Sequence, residues 1–442
     1  MRRRNTGSNM NKKILRLAGP SILANITVPL VGMADLAIAG RLGDAAAIGG
    51  IAIGTMLFDL LYWNLGFLRV GTGGKAAQAY GRRDFKDSIN VLTQSLGTAL
   101  IAALFLLIIQ YVYVVGAFAI LDTTPQVESM ARDYFFIRIW AAPATLSLFS
   151  FKGWFIGMQN TVSPMVTDII VNSSNILLSI IFAIPMKMGI AGVALGTVAA
   201  QYIGILSAVI LMNRYYKKLF KYINLKGSLK LKEMKDFFVL NGNLFLRSAS
   251  LLLVYTGFTA LSAKYGDQLL AVSTIMMKLM LLYSYLVDGF AYAGEAITGR
   301  YVGAKDLFSL KKAVKLLFLW TFIIAGISTL AYVLAGEPIF RLLTNNDEVI
   351  AASAEFMPWL LIVPVISCVA FMWDGIYIGA TAASAIRDTM IASAAAFFLT
   401  YYATEWIIGI QALYVAYSAH LVVRSVMMTV MAKKEVYGRL VS

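Results

Sequence analysis

Asp35 stands in the stretch "VPLVGMADLAIAGRLGD", far from either end of an apolar run that begins at Ile14. A carboxylate at the centre of a bilayer costs about 3 kcal/mol on insertion scales, so one kept there is expected to face a cavity, a partner or an exchangeable cation. The chemistry it offers is reversible charge: it can take up and release a proton, or hold a sodium ion transiently. Pro20 and Pro29 precede it in the same run, and each removes a helical hydrogen bond and invites a kink. Asp35 is therefore expected to be an ion-operated switch on a bendable helix. The static alternative is an ion pair or a helix-end carboxylate near the interface, because Arg41 and Asp44 follow within about two turns.

Other polar residues could share that site. In "DIIVNSSNILLS", Asp168, Asn172, Asn175 and Ser179 follow one another at spacings of four, three and four, which is one face of a helix. Thr197 and Gln201 share a face likewise in "GVALGTVAAQ". Taken singly, such residues are interhelical glue worth about 0.6 kcal/mol each. Taken with Asp35, they make a cation or proton site. The second half of the chain places Arg247, Lys278, Asp288, Glu295 and Asp374 within or at the ends of apolar runs. Asp374, in "MWDGIYIGA", would be unstable as an unpaired charge. Its natural partner is Lys278 or Arg247, and the pair reads equally as a salt bridge or as a substrate contact. Asp59 and Arg69 read as a structural pair or as residues near the cytoplasmic interface.

Several other chemistries are excluded. Cys368 is the single cysteine, so no disulfide framework or thiolate metal site exists. His420 is the single histidine, which rules out a histidine metal cluster or triad. "RVGTGGKAA" only superficially resembles a phosphate loop, with Arg69 where the first glycine belongs and Ala76 where Ser or Thr is required. No enzyme and no cofactor are expected, only a coupling ion, H+ or Na+.

The elements that carry these residues follow from composition. Apolar residues are 59% of the 442 and charged residues 14%, with a mean hydropathy of +0.74. No soluble surface accommodates that. Stretches of the roughly 20 apolar residues needed to cross a bilayer recur twelve times, including Ile48 to Val70, Tyr134 to Phe155 and, shortest, Met390 to Tyr402. The net charge of +15 is carried by alternate loops rather than by a nucleic-acid face. Arg2, Arg3, Arg4, Lys12 and Lys13 form one basic group, Arg82, Arg83 and Lys86 another, and a third is the Lys-rich run from Lys217 to Lys235, which includes Lys226. By the positive-inside rule both termini are cytoplasmic.

The longest polar segment, Asn213 to Asp236, divides the spans six and six. A shift of 223 positions lays "RLGD" at Arg41 on "KYGD" at Lys264, and with small slips "YGRRDF" at Tyr80 meets "VGAKDL" at Val302 and "WFIGMQ" at Trp154 meets "IYIGAT" at Ile376. The fold expected is an all-α membrane protein of twelve transmembrane helices in two pseudo-symmetric six-helix bundles, a parallel repeat. Its parts are a cytoplasmic tail at 1–12, an N-lobe at 13–213, a basic linker at 214–236, a C-lobe at 237–432 and a second tail at 433–442. Two such bundles suit alternating access by a monomer in the lipid bilayer.

At this point the residues resemble a known family. "LAGPSILANITVPLVGMADLAIAGRLGD", "GRRD" after the second span, "NSSNILLS" in the fifth, "GVALGTVAAQ" in the sixth, "FLRSASL" in the seventh and "WDGIYIGAT" in the tenth are similar to multidrug and toxic compound extrusion (MATE) transporters, and the seventh-span arginine points to the DinF-like branch. The resemblance implies an antiporter of the cell membrane that exports cationic or amphipathic small molecules against a proton or sodium gradient. It implies that Asp35 is the coupling residue, that Pro20 lets its helix bend and that Asn175 neighbours the carboxylate. Many relatives carry a second carboxylate one turn after that asparagine, where this chain has Ser179, so a two-carboxylate site is not expected; Asp168 lies nearly three turns away. The alternatives are a flippase for a lipid-linked precursor and an integral-membrane enzyme.

Overall fold

In the computed structural model the described residues are 5–41, 45–121, 123–341, 343–344 and 346–440. The expectations that fall on Arg2, Arg3, Arg4, Asp44 and the side chain of Lys226 lie outside them. Among the described residues all regular structure is helical, and twelve segments are long and apolar enough to cross a membrane.

The first is α1 (Asn5–Arg41), in which the helix runs unbroken through Pro20 and Pro29. The second span joins α2 (Ala45–Leu65) to α3 (Phe67–Arg82) across Gly66. It continues well past Val70, where the sequence reading ends it, because the "VGTGGKAA" run is a buried helix and not a loop. α4 (Phe85–Ile120) follows. The fourth span joins α5 (Pro125–Arg138) to α6 (Ala142–Gly157) through a single 3-10 turn at Ile139–Ala141. Pro143 at the start of α6 has no N–H to continue the α-helical ladder, which accounts for a break at that point. α7 (Val162–Ala183) and α8 (Gly189–Tyr216) complete six spans.

After a short α9 (Leu225–Ser228) come α10 (Leu231–Ser262), α11 (Asp267–Gly303), α12 (Leu307–Arg341), a short α13 (Asp347–Ser353), α14 (Met357–Gly379), α15 (Ala383–Ile408) and α16 (Gln411–Ala432). The eleventh span, α15, is twice the length that its apolar stretch indicates.

Two compact units divide the chain, one at Leu23–Phe238 and one from Val239 onward that also takes in α1 as far as Ile22. Within the second unit, Trp320 Nε1 donates to Asn11 Oδ1 at 3.2 Å. A Cβ added to Gly289 would stand 3.0 Å from the Ala18 carbonyl. Within the first unit, the 214–236 segment is bound to α4: Gln94 Nε2 donates to the Ser228 carbonyl at 3.3 Å, and the Ser228 hydroxyl to Asn90 Oδ1 at 2.7 Å.

Each unit repeats the same internal contacts. On α6, a Cβ at Gly153 would strike the Arg69 carbonyl of α3, and one at Gly157 would stand 2.7 Å from the Gly73 carbonyl. On α14, a Cβ at Gly375 would strike the Ala291 carbonyl of α11, and one at Gly379 would stand 2.8 Å from the Gly299 nitrogen. Glycines four apart let two helix backbones touch, the usual device where no hydrophobic force drives helices together. Two further pairs recur. Arg83 and Lys305 hold φ of 59° and 54°, and Gln159 and Thr381 hold φ of 63° and 54°. Both pairs (83 and 305, 159 and 381) are 222 positions apart. A left-handed non-glycine residue costs about 1 kcal/mol, and each unit bears that cost at the same two helix ends.

Candidate functional site

In the first unit, α1 carries Asp35 into the interior, where it is buried and its Oδ1 has no hydrogen-bond partner. The positive charge nearest to it in effect is Arg138, which also acts on Asp59. Arg138 is the last residue of α5, at the break in the fourth span, so its side chain is not locked into an uninterrupted helix face. Its Nη1 donates to the Tyr134 hydroxyl at 2.8 Å and to Thr55 Oγ1 at 3.3 Å, and its guanidinium lies 4.8 Å from the centre of the Phe58 ring. The sequence reading did not single out Arg138. Asp59, read there as a partner for Arg69, forms no ion pair among the described residues and feels the charge of Arg138 instead.

The polar face of α7 is divided among several partners. Asn172 Nδ2 donates to Thr27 Oγ1 of α1 at 2.7 Å. Asn175 Nδ2 donates to Thr197 Oγ1 of α8 at 2.8 Å, and its own Oδ1 is buried without a partner. Thr197 and Ser179 both donate to the Val193 carbonyl, at 3.1 and 3.3 Å. The bonds of Asn175 to Thr197 and of Ser179 to Val193 stitch α7 to α8, where Gly196 lets the Ser179 backbone approach. Gln201, half-buried on α8, makes no side-chain hydrogen bond among the described residues. Asp168 is ion-paired with Lys152 of α6. Lys152 is a partner the sequence reading overlooked.

No hydrogen bond joins Asp35 to Asn175, Thr197 or Gln201 among the described residues. The reason is axial. From the Thr27–Asn172 bond, Asp35 lies eight residues further along α1 and Asn175 three further along α7, about 12 and 4.5 Å respectively.

In the second unit, Asp374 of α14 is paired twice. Its Oδ2 accepts from Arg247 Nη2 of α10 at 2.8 Å and also from Arg424 Nη2 of α16. Arg424 is 1% exposed. Of the two partners proposed from sequence, Arg247 makes the contact, and Lys278 is on the exposed side of α11 with no ion pair among the described residues. Arg424 was missed, although an arginine inside the last apolar run carries the same signal that singles out Asp374. Asp288 acts on Tyr255 of α10, which also feels the charge of both arginines.

A model of the MatE family matches residues 20–181 and again 244–407, one match in each half of the duplication. The chain belongs to the MatE family. It is 32% identical over 421 residues to DNA damage-inducible protein F of Escherichia coli, covering 94% of this chain and 91% of that protein. This relative bears out the DinF-like assignment. It is 24% identical over 359 residues to the probable multidrug resistance protein NorM of Bradyrhizobium diazoefficiens, covering 79% and 76%. A MOP superfamily transporter from Pyrococcus furiosus superposes with a TM-score of 0.87 at 17% identity, covering 98% and 97%, and so shares the fold. MatE proteins are transporters, so this is a multi-pass membrane transporter and not an enzyme, and the flippase alternative is without support.

Proposed function

We propose that this MatE protein is a secondary antiporter of the bacterial inner membrane. It exports small amphipathic or cationic organic compounds, and H+ or Na+ enters in exchange at Asp35. It works as a monomer by alternating access, with both termini and the 214–236 segment on the cytoplasmic side. Export of toxic compounds is supported by the relatives, one of them named for multidrug resistance.

One observation carries the reading. Asp35 Oδ1 is a buried acceptor in a membrane span with nothing to accept from, and Asn175 Oδ1 is another. An unsatisfied buried carboxylate is costly, and a bound proton or sodium ion removes that cost. Loading and unloading the ion thus shifts the energy of the helix that carries Pro20 and Pro29. Each 1.4 kcal/mol of such a shift changes a two-state ratio about tenfold.

The test is purified protein in liposomes given a pH gradient or a sodium gradient separately, with efflux of a fluorescent cation recorded. The wild type should respond to one of them and Asp35→Asn to neither. Full gradient-driven efflux by Asp35→Asn would make Asp35 a structural carboxylate.

A further inference from the structure

The helix α8 is longer than a bilayer needs. Its 28 residues, Gly189–Tyr216, span about 42 Å as a helix, against about 30 Å of hydrocarbon. Its last turns therefore stand at headgroup level, on the side proposed to be cytoplasmic. There the first unit opens a cavity of about 690 Å³. Tyr80, Phe85 and Tyr216 wall it, and Arg214, Lys217 and Lys218 line it with positive charge. Tyr216 is fixed in place: Trp154 lies 4.8 Å away, centre to centre, and Asn160 Nδ2 donates to the Tyr216 hydroxyl at 3.2 Å.

The charge is not balanced locally. No carboxylate lines the cavity, and none of the three cations forms an ion pair, among the described residues. The turn that supplies Phe85 sets Arg82, Arg83 and Lys86 against Asp84 and Asp87, and Asp87 is already paired with Arg82 at 2.6 Å. That turn adds positive charge instead of cancelling it.

The second unit shows the same place filled. α16 begins at Gln411, 222 positions after Gly189, which is the offset of the left-handed residues. At that offset Arg439 corresponds to Lys217 and Glu435 to Asn213. Arg439 Nη2 donates to Glu435 Oε2 at 3.3 Å, its Nη1 donates to the Thr381 carbonyl at 3.4 Å, and Val436 and Leu440 are buried. The chain there supplies both the packing and the counter-charge. In the first unit an asparagine stands where that carboxylate would be, so Lys217 lacks the internal anion.

The outer face of α8 indicates what the missing anion is attached to. Leu206, Ile210 and Arg214 follow at spacings of four, one face of the helix, and the first two are 60% and 56% exposed. An apolar ridge thus leads into the basic residues. Basic pockets at the cytoplasmic ends of membrane spans suit anionic lipid headgroups.

We propose that this cavity binds the phosphate headgroup of an anionic phospholipid, held by Arg214, Lys217 and Lys218, with an acyl chain along Leu206 and Ile210. The site is separate from Asp35 and does not depend on which ion is exchanged there.

The experiment titrates delipidated full-length protein in detergent with dioleoylphosphatidylglycerol or dioleoylphosphatidylcholine and counts bound lipid by native mass spectrometry. Every variant is first checked for a monodisperse folded peak. Wild type should hold one phosphatidylglycerol about tenfold more tightly than phosphatidylcholine. The triple variant Arg214→Gln, Lys217→Gln, Lys218→Gln should lose about tenfold for phosphatidylglycerol and leave phosphatidylcholine unchanged, whereas Lys311→Gln, Lys312→Gln, Lys315→Gln, an equal loss of charge in the second unit, should keep this lipid. Asn213→Glu retains every cation but restores the carboxylate of the other repeat, and it should weaken phosphatidylglycerol about fivefold, with Asn213→Gln unchanged.

Equal binding of the two lipids by wild type, equal losses in the two triple variants, or no effect of Asn213→Glu overturns the proposal. Displacement of the lipid by millimolar glycerol phosphate or inorganic phosphate would also overturn it, because the ligand would then be a free phosphate and not a membrane lipid.

Discussion

The uneven charge count at Asp374 makes a prediction about stability that can be worked through. Replacing Asp374 by Asn leaves two guanidiniums side by side, one of them 1% exposed, without the carboxylate oxygen that both bind. Removing one partner of a buried ion pair costs about 3–5 kcal/mol. In a unit of roughly 200 residues that corresponds to a fall on the order of 10 °C in melting temperature. Replacing Arg247 by Gln does the reverse: it leaves a one-to-one pair of Arg424 with Asp374 and removes the less buried of the two guanidiniums. Its cost should be about 1 kcal/mol, the value of one hydrogen bond. The double change Asp374→Asn with Arg424→Gln removes both wholly buried charges and should recover most of what Asp374→Asn loses. Thermal unfolding of the purified protein in detergent, followed by size-exclusion, measures all three. Equal losses for Arg247→Gln and Asp374→Asn, or no recovery in the double variant, would refute the charge argument.

Three further outcomes follow from the same structure. Gly153→Ala and Gly375→Ala place a Cβ on the facing carbonyls of Arg69 and Ala291 and should each lower stability by about 1–3 kcal/mol, whereas Gly116→Ala and Gly326→Ala, which meet nothing within 4 Å, should be neutral or gain up to about 1 kcal/mol; thermal unfolding of the four variants decides. Asn175→Ala removes both the bond to Thr197 and the unpartnered Oδ1, and should reduce coupled efflux in liposomes more than Asn172→Ala, which only cuts the tie to Thr27; the reverse order would shift attention from Asn175 to the α1–α7 contact. A cysteine replacing Lys218, on a Cys368→Ala background, should resist an impermeant thiol reagent added to intact cells and react in inside-out vesicles, and labelling from outside would invert the proposed topology.

What the sequence discloses and what it withholds have physical causes. A charge in an apolar run is legible because its insertion cost is local to one helix, so Asp35, Asp374 and Arg247 can be picked out without any knowledge of neighbours. Their pairings depend on which helix faces meet, and one chain in one dimension carries little of that. Hence Lys278 and Arg247 look interchangeable as partners for Asp374, while Arg424, fifty residues further on, also donates to the same carboxylate oxygen. Lys152 is overlooked for the same reason: "SLFSFKGW" shows a lysine in a span, but only the packing of α6 on α7 brings it to Asp168. Arg138 is hidden differently, by a helix break at Pro143 that a search for continuous apolar runs smooths over.

The glycines show the opposite case. "WFIGMQ" and "IYIGAT" look like one more weak coincidence between the halves. In the folded chain, Gly153 with Gly157 and Gly375 with Gly379 are the points where helix backbones touch. A glycine needed for close approach tolerates no side chain at all, so it is a stricter constraint than any apolar position around it, and a duplicated chain retains it while the larger residues drift. The left-handed residues behave alike. Arg83 and Lys305, or Gln159 and Thr381, differ in side chain but not in backbone, because the turn that follows each helix is fixed by the chain path. The duplication is therefore written most firmly in backbone geometry. The two polar sites have diverged on top of it, one built around the Asp35 carboxylate with its unpartnered Oδ1 and the other around two arginines on the one carboxylate of Asp374.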